Sequence, residues 1–452
     1  MGLIISVSGI RGLVGSDLGI SDASKLGMIF ARFLQESGNP MIVASDSRIS
    51  SPALRSALTA GLLASGRNVV DLGIAATPTA CLMIQGRSAP GGTIVTASHN
   101  PIEWNGVKLI GPEGLSLDSE RAERIKQAFA GPVPEHAGAT ACGHLESDTN
   151  AHQIHIDAVL DSCDRRLLEE LRSRRLPILL DSVNGAGSIA GLPLLEALGC
   201  RTTGINSEPN GRFSRNPEPV PENLKQVSRA VIQFASQVGF VQDPDADRLA
   251  VVDEKGVCIG EEYTLALACW YVLSVMPGPV ATNLSTSRMV DDVAERFGQK
   301  VYRTPVGETN VAHAMREHKC SVGGEGNGGV IFPQVAPVRD SLSAMAMILQ
   351  LMAKTGKTVS HLAGELPKYH MIKTKVACAA DRTANVLKNV LQAYSDKQIN
   401  TADGVRIDFT AERAWVHIRA SNTEPIVRII AEAPEQKKAA GLIEAVLAMG
   451  LR

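Results

Sequence analysis

Short apolar runs with β-branched character alternate with longer helix-like runs through most of this chain, and the apolar runs end at turns rich in glycine, aspartate or asparagine. That alternation admits few folds besides stacked α/β units, because each strand needs a sheet and each helix must cover a face of one. Residues 41–44 are β-like and stop at Asp46, and 52–64 read as a helix with proline at its start. Further strands fall at 69–72, 94–96 and 107–110, and 119–129 is an amphipathic helix. With 452 residues the chain exceeds what one core can hold, so several domains are expected.

A stretch rich in Gly, Pro and Ala, 131–143, reads as a linker to a second unit. That unit opens with one long helix, followed by strand 178–181, a glycine turn at 184–187 and a helix to Leu198. It closes with strands at 240–241 and 249–252. A third unit begins near 256–260, with helices to Met276, over 287–297, to Lys319 and over 341–353, and strands at 280–282 and 301–304. From about residue 369 strands around Lys373, Val405, Val416 and Val427 mix with two helices in a smaller α+β unit. The chain thus reads as three related mixed α/β domains plus an appendage, divided at 1–145, 146–254, 255–368 and 369–452. The repeat lies in element order and not in identical residues.

Composition narrows the function classes. A net charge of −2 with no basic block argues against nucleic acid as a partner. The most apolar stretch, 265–276, is too short to span a bilayer and reads as a buried helix, so no membrane is expected. The first residues lack the basic start and long apolar core of a signal peptide; they fit the loose myristoylation pattern, but a short opening strand is the simpler reading. Eight scattered cysteines with no Cys-x-x-Cys speak against a paired-cysteine zinc site and for a reducing, cytoplasmic setting.

Two segments carry most of the chemistry. Thr96-Ala97-Ser98-His99-Asn100-Pro101 follows a β-rich run and sets a hydroxyl beside an imidazole. Asp243-Pro244-Asp245-Ala246-Asp247-Arg248 sets three carboxylates at alternate positions, with an arginine directly after. A nucleophilic oxygen, a hard-cation cage and a fixed positive charge are the parts phosphoryl transfer needs. Taken alone, Ser98 and its neighbours equally fit a plain turn, and the Gly-x-Ser-x-Gly elbow of a serine hydrolase is absent. The triplet resembles an EF-hand loop with Glu254 at its twelfth position, but Arg248 replaces the required glycine and the flanks are strands. A phosphatase with an Asp245 nucleophile, a Mg²⁺ cage and a solvated acidic turn remain.

Gly324-Glu325-Gly326-Asn327-Gly328-Gly329 formally matches a dinucleotide fingerprint, yet a strand follows it where a helix should. A loop with Glu325 and Asn327 facing sugar hydroxyls suits it better than a nucleotide site, beside the bland reading of a glycine turn. Arg419-Ala420-Ser421-Asn422-Thr423-Glu424-Pro425, with Arg428 beyond, has the groups that grip a phosphate or fill an ordinary turn. Arg11, between Gly9 and Gly12, is similarly open to phosphate or to solvent.

Together these segments resemble the α-D-phosphohexomutase family, in motif order and over nearly the whole chain. The resemblance implies four domains around a central cleft, each giving one loop. It implies that Ser98 is a phosphoserine that hands its phosphoryl group to a sugar phosphate, and that a bound sugar bisphosphate turns over in the cleft. The bisphosphate would also serve as activator of the dephosphorylated enzyme. Mg²⁺ would be held by Asp243, Asp245, Asp247 and an oxygen on Ser98. Arg11, His99, Lys108 and Arg248 would line the transfer site, with Lys108 a proton shuttle. Thr304 and Gly307 would belong to the third domain's ligand loop, Glu325 and Asn327 would grip the sugar, and Arg419, Ser421, Asn422, Thr423 and Arg428 would hold the other phosphate. Many relatives have serine at the position of Asn327 and histidine at that of Gly329, so a histidine proton-transfer role has no residue here. The Gly-Glu-Gly-Asn-Gly-Gly form points to glucosamine phosphate as substrate, with mannose or glucose phosphate as alternatives. A metal-dependent phosphatase and a non-catalytic sugar-phosphate sensor are the more distant readings. A monomer or homodimer is expected.

Overall fold

The structure is a computed structural model, and it describes residues 2–6, 9–34, 38–378, 380–420 and 426–451. The alternating runs form four sheets in chain order. The first has seven strands, ordered Ile4–Ser6, Gly9–Leu13, Trp104–Ile110, Gly92–Val95, Met41–Ser45, Val69–Ile74 and Leu145–Ser147. The second is ordered Leu249–Asp253, Val238–Gln242, Pro177–Asp181, Arg201–Ile205, and the third Val301–Thr304, Val280–Asn283, Val322–Glu325, Gly329–Ile331. The fourth is antiparallel throughout: His370–Ala377, Ile426–Ala433, Ala414–Ala420, Val405–Phe409, Gln398–Asn400.

The repeat has a definite form. In each of the first three sheets one strand pairs in parallel with the next, a third pairs in parallel on its other side, and a fourth returns antiparallel to the third. The hairpin joining third to fourth strand holds residues 96–103 in the first domain, 243–248 in the second and 326–328 in the third. The serine, aspartate and glycine motifs therefore occupy equivalent positions in three copies of one topology. Each lies outside the carboxyl end of a central parallel strand, where open α/β sheets bind ligands.

One expected element differs. The long helix opening the second domain is two, Ala151–Asp161 and Arg165–Arg174. The Asp164 carboxylate accepts from Leu167 N–H at 3.0 Å and caps the second helix, while its own N–H donates to Gln350 Oε1 at 2.8 Å. Apolar periodicity runs through the break, so only the capping aspartate marks it.

Packing divides the molecule unequally. One apolar core runs from the first sheet's helix Thr77–Gly86 through the second and third domains. Its centre is helix Ser341–Thr355, buried without a polar face from residue 341 to 353. The fourth domain has a core of its own, confined to residues 378–451. It meets the third domain through polar contacts: Ser285 Oγ to His417 Nδ1 (2.9 Å), Val306 N–H to Asp403 Oδ2 (3.0 Å) and Arg288 N–H to Glu432 Oε1 (2.9 Å). Among the described residues no disulfide joins the cysteines, and no helix is long and apolar enough to cross a membrane.

Candidate active site

Ser98 sits in the hairpin after strand Gly92–Val95 with φ +47°, a backbone conformation that serine seldom adopts. The surrounding structure imposes it. Ser98 N–H donates to Thr96 Oγ1 (2.9 Å), whose own hydroxyl donates to Asp46 Oδ2 (2.7 Å). The loop carbonyls are gathered by Arg48, a fully buried arginine that sequence reasoning missed. Its guanidinium donates to the carbonyls of Ser98 (2.6 Å), Asn100 (2.7 Å), Pro101 (2.7 Å) and Trp104 (2.9 Å), and its Nε to Asp46 (3.0 Å). The Ser98 hydroxyl is thereby aimed across the domain boundary, donating to Asp243 Oδ2 at 3.0 Å. His99 Nδ1 lies 3.4 Å and Arg248 Nη2 3.5 Å from the same oxygen. Burial, then the charge of Arg248, pushes His99 down to about 3, so at neutral pH the imidazole is uncharged.

Asp243, Asp245 and Asp247 are completely buried, with ligand oxygens all within 4.8 Å of one another. Each carboxylate has a different nearest cation, and Asp247 also has Lys108 Nζ at 3.5 Å and Arg248 Nε at 3.7 Å. Arg248 Nε lies 3.2 Å from Asp243 Oδ2, Lys108 Nζ 2.6 Å from Asp245 Oδ2, and Arg339 Nη2 2.6 Å from Asp247 Oδ2. Thr77 Oγ1 also donates to Asp245 Oδ2 at 2.6 Å. The Oδ1 atoms of Asp245 and Asp247 have no hydrogen-bond partner, and Arg248 Nε stands 3.7 Å from that of Asp247. Buried carboxylate oxygens without hydrogen bonds are costly, and their convergence fits a hard divalent cation with oxygen ligands. The electrostatics agree. Burial, then the charges of Asp247 and Asp245, raises Asp243 to about 8, so without further positive charge this aspartate keeps a proton. Burial alone would push the Lys108 ammonium down, but Asp245 and Asp247 outweigh it and hold it charged.

Arg11 lies on strand Gly9–Leu13, next to the strand bearing Lys108, and its Nη1 is 3.4 Å from Asn100 Oδ1. Thr304 ends strand Val301–Thr304, and Gly307 caps helix Glu308–Glu317. The Gly307 N–H donates to Glu325 Oε1 (3.2 Å). Glu325 is almost wholly buried, accepting also from Asn283 Nδ2 (2.8 Å) and from Arg339 Nη1 (2.7 Å). Asn327 is half-buried and accepts from the Gly329 N–H at 3.2 Å. The glycines here answer to neighbours: at Gly326 a Cβ would run into the Glu262 carboxylate, and at Gly328 (φ +85°) it would lie 2.5 Å from the Leu249 carbonyl oxygen.

In the fourth domain Arg419 faces Arg428 across the hairpin, and Arg428 faces Lys375 on the next strand. Like charges opposite one another in a sheet repel, so this row does not stabilise the sheet by itself and has the charge to meet an anion. Lys375 is its unforeseen member. Arg419 Nε lies 3.4 Å from Asp403 Oδ2, which also accepts from Val306 N–H of the third domain. Ser421, Asn422 and Thr423 fall outside the described residues.

Comparison with known proteins decides the family. The chain matches "Phosphoglucomutase/phosphomannomutase, alpha/beta/alpha domain I" over residues 3–132, domain II over 153–256, domain III over 260–369 and the C-terminal domain over 371–449. The chain belongs to the phosphohexomutase family. It is 39% identical over 450 residues to the "Phosphoglucomutase/phosphomannomutase" of Thermococcus kodakarensis, covering 98% of this chain and 97% of that one. It is 35% identical over 445 residues to a protein named "Probable phosphoglucosamine mutase" in Methanopyrus kandleri, covering 97% and 96%. Among solved phosphohexomutases, a phosphoglucomutase/phosphomannomutase family protein of Burkholderia thailandensis superposes with a TM-score of 0.85 at 26% identity, covering 98% of each chain. The chain is an intramolecular phosphotransferase of the isomerase class, and the expectation of three α/β domains and a smaller C-terminal one is met.

Proposed function

We propose that this phosphohexomutase interconverts glucosamine 6-phosphate and glucosamine 1-phosphate, with Ser98 as phosphoryl carrier and residues 1–145, 146–254, 255–368 and 369–452 each giving one loop to the cleft. The carrying observation is the 3.0 Å approach of Ser98 Oγ to Asp243 within the buried aspartate cage. The phosphoserine oxygen–phosphorus bond breaks as a sugar hydroxyl oxygen bonds to phosphorus, which leaves free Ser98 and a sugar bisphosphate. The bisphosphate turns over and returns its other phosphate to Ser98, and the same compound reactivates enzyme that has lost its phosphate. Lys108 serves as the proton shuttle, uncharged His99 lines the transfer site, and Arg11 and Arg248 bind phosphoryl oxygens. Asp243, Asp245 and Asp247 with an oxygen on Ser98 would hold Mg²⁺. The ion would neutralise charge on the phosphoryl oxygens.

Glu325, Asn327, Thr304 and Gly307 orient the sugar in this reading, and Arg419, Arg428 and the 421–423 segment hold the phosphate that is not transferred. The separate core and polar docking of the fourth domain support its swinging to shut out water, which protects the phosphoserine from hydrolysis. Relatives' names divide between glucosamine phosphate and glucose or mannose phosphate, so phosphoglucomutase/phosphomannomutase activity is the second reading.

Mass spectrometry of enzyme incubated with a sugar bisphosphate should find phosphate on the Ser98 peptide, and Ser98→Ala should abolish transfer while keeping substrate binding. Phosphate on Asp245, or normal turnover by the variant, overturns the mechanism. Side-by-side assays on the three 6-phosphates fix the sugar, and turnover of mannose but not glucosamine 6-phosphate reverses the preference.

A further inference from the structure

Arg339 was not legible as a site residue, yet its guanidinium reaches three loops. Nη2 donates to Asp247 Oδ2 in the aspartate loop at 2.6 Å, and Nη1 to Glu325 Oε2 in the glycine loop at 2.7 Å. Nε lies 3.3 Å from Glu308 Oε1, which also accepts the Arg339 backbone N–H at 2.6 Å. The side chain is 14% exposed. Its backbone is fixed on both sides: Arg339 bridges to Ile331, and Asp340 caps helix Ser341–Thr355 while its own N–H donates to the Val330 carbonyl at 2.8 Å. Space for the arginine comes from Gly329. A Cβ there would lie 2.8 Å from Arg339 Cγ and closer still to Cδ, so any side chain at 329 displaces it.

We propose that Arg339 is a positioning residue that ties the Asp247 arm of the aspartate cage to Glu325 of the sugar loop, with Gly329 retained to give it room. The planar fork suits this task, because it meets two carboxylates at once where a lysine ammonium is a single point charge. Arg339 occupies Asp247 Oδ2 and leaves Oδ1 without a hydrogen bond, 3.7 Å from Arg248 Nε, so the residue decides which oxygen the carboxylate offers to a cation. Groups that orient metal ligands from behind typically change metal affinity or activity 10–100-fold when removed.

The inference rests on the metal reading of the aspartate loop and is tested by binding, apart from turnover. Mg²⁺ titrated calorimetrically into the full-length protein should bind about 10–100-fold more weakly to Arg339→Met. Gly329→Ala leaves the charge in place but pushes the side chain aside, and should weaken Mg²⁺ similarly. Arg339→Lys keeps the charge without the fork and should remain at least about 10-fold weaker. In the Arg339→Met background, Gly329→Ala should add little, since the displaced group is already gone. Mg²⁺ affinity within about twofold of wild type in both Arg339→Met and Gly329→Ala, or wild-type affinity in Arg339→Lys, overturns the inference and leaves the proposed function standing. If Arg339→Met does not fold, the glycine and lysine variants decide by the same criteria. Failure of the wild-type protein to bind Mg²⁺ overturns the metal reading and this inference together.

Discussion

At the scale of single residues, chemistry here is made by neighbours. Ser98 is an ordinary alcohol until Thr96, Asp46 and Arg48 hold its backbone at positive φ and aim it at Asp243. Ser98, the three aspartates and Arg248 were legible because they cluster in two short segments. Arg48, Thr77 and Arg339 were not, because their partners lie far off in sequence: Thr77 meets Asp245 across 168 positions and Arg339 meets Asp247 across 92. The one available signal at Arg339 was an Arg-Asp pair opening a strongly apolar helix, and that marks a cap before it marks a site. Lys375 belongs to the same class, since only strand register puts it beside Arg428. Lys375→Ala should raise the KM for the sugar phosphate about 5–20-fold with little change in kcat, as expected for loss of one charge-assisted phosphate contact. A steady-state assay yields both constants, and an unchanged KM would remove Lys375 from the phosphate site.

At the scale of elements, three sheets of one topology put their working loops on equivalent hairpins, and sequence periodicity found most of these strands and helices. It erred where a cap outweighed period, at Asp164. Strand Ala414–Ala420 shows how an element couples domains. His417 stands between Ser285 Oγ of the third domain and the Asp403 carbonyl of its own. Burial pushes the imidazole down to about 4; the hydrogen bond to the Asp403 carbonyl and the Asp403 charge oppose this, while Arg406 and Arg419 add to it. The folded-state value lies below the unfolded one, so the unfolded chain takes up the proton first as pH falls. The stabilisation is complete above about 6.5 and is lost as pH falls through about 4. Thermal unfolding followed from pH 8 to 4 should show a shallower acid-side loss in His417→Asn than in wild type. Parallel curves for the two proteins would show that His417 does not carry this dependence.

At the scale of the whole molecule, one core joins the first three domains, with smaller apolar clusters inside the first and second, and the fourth keeps its own. A buried polar relay reinforces the shared body: His155 Nδ1 lies 2.9 Å from Thr79 Oγ1 in the first sheet's helix, and Nε2 lies 3.1 Å from Asp340 Oδ2. His155→Ala would strip Asp340 of a buried partner and should cost about 2 kcal/mol or more, seen as a lower urea midpoint. No shift of the midpoint would mean that Asp340 is satisfied by its helix-capping bonds alone. The amino-acid order by itself determined the succession of strands and helices, the number of units and the identity of the motif loops, because periodicity, turn residues and short-range spacing are properties of neighbouring positions. Only the tertiary structure decided which cation stands nearest each aspartate, that Glu325 is held by Arg339, and that a glycine is needed at 329. Those facts depend on how the folded chain brings the aspartate loop against the first and third domains: Lys108 meets Asp245 across 137 positions and Arg339 meets Asp247 across 92, and such pairings leave no local pattern in the chain.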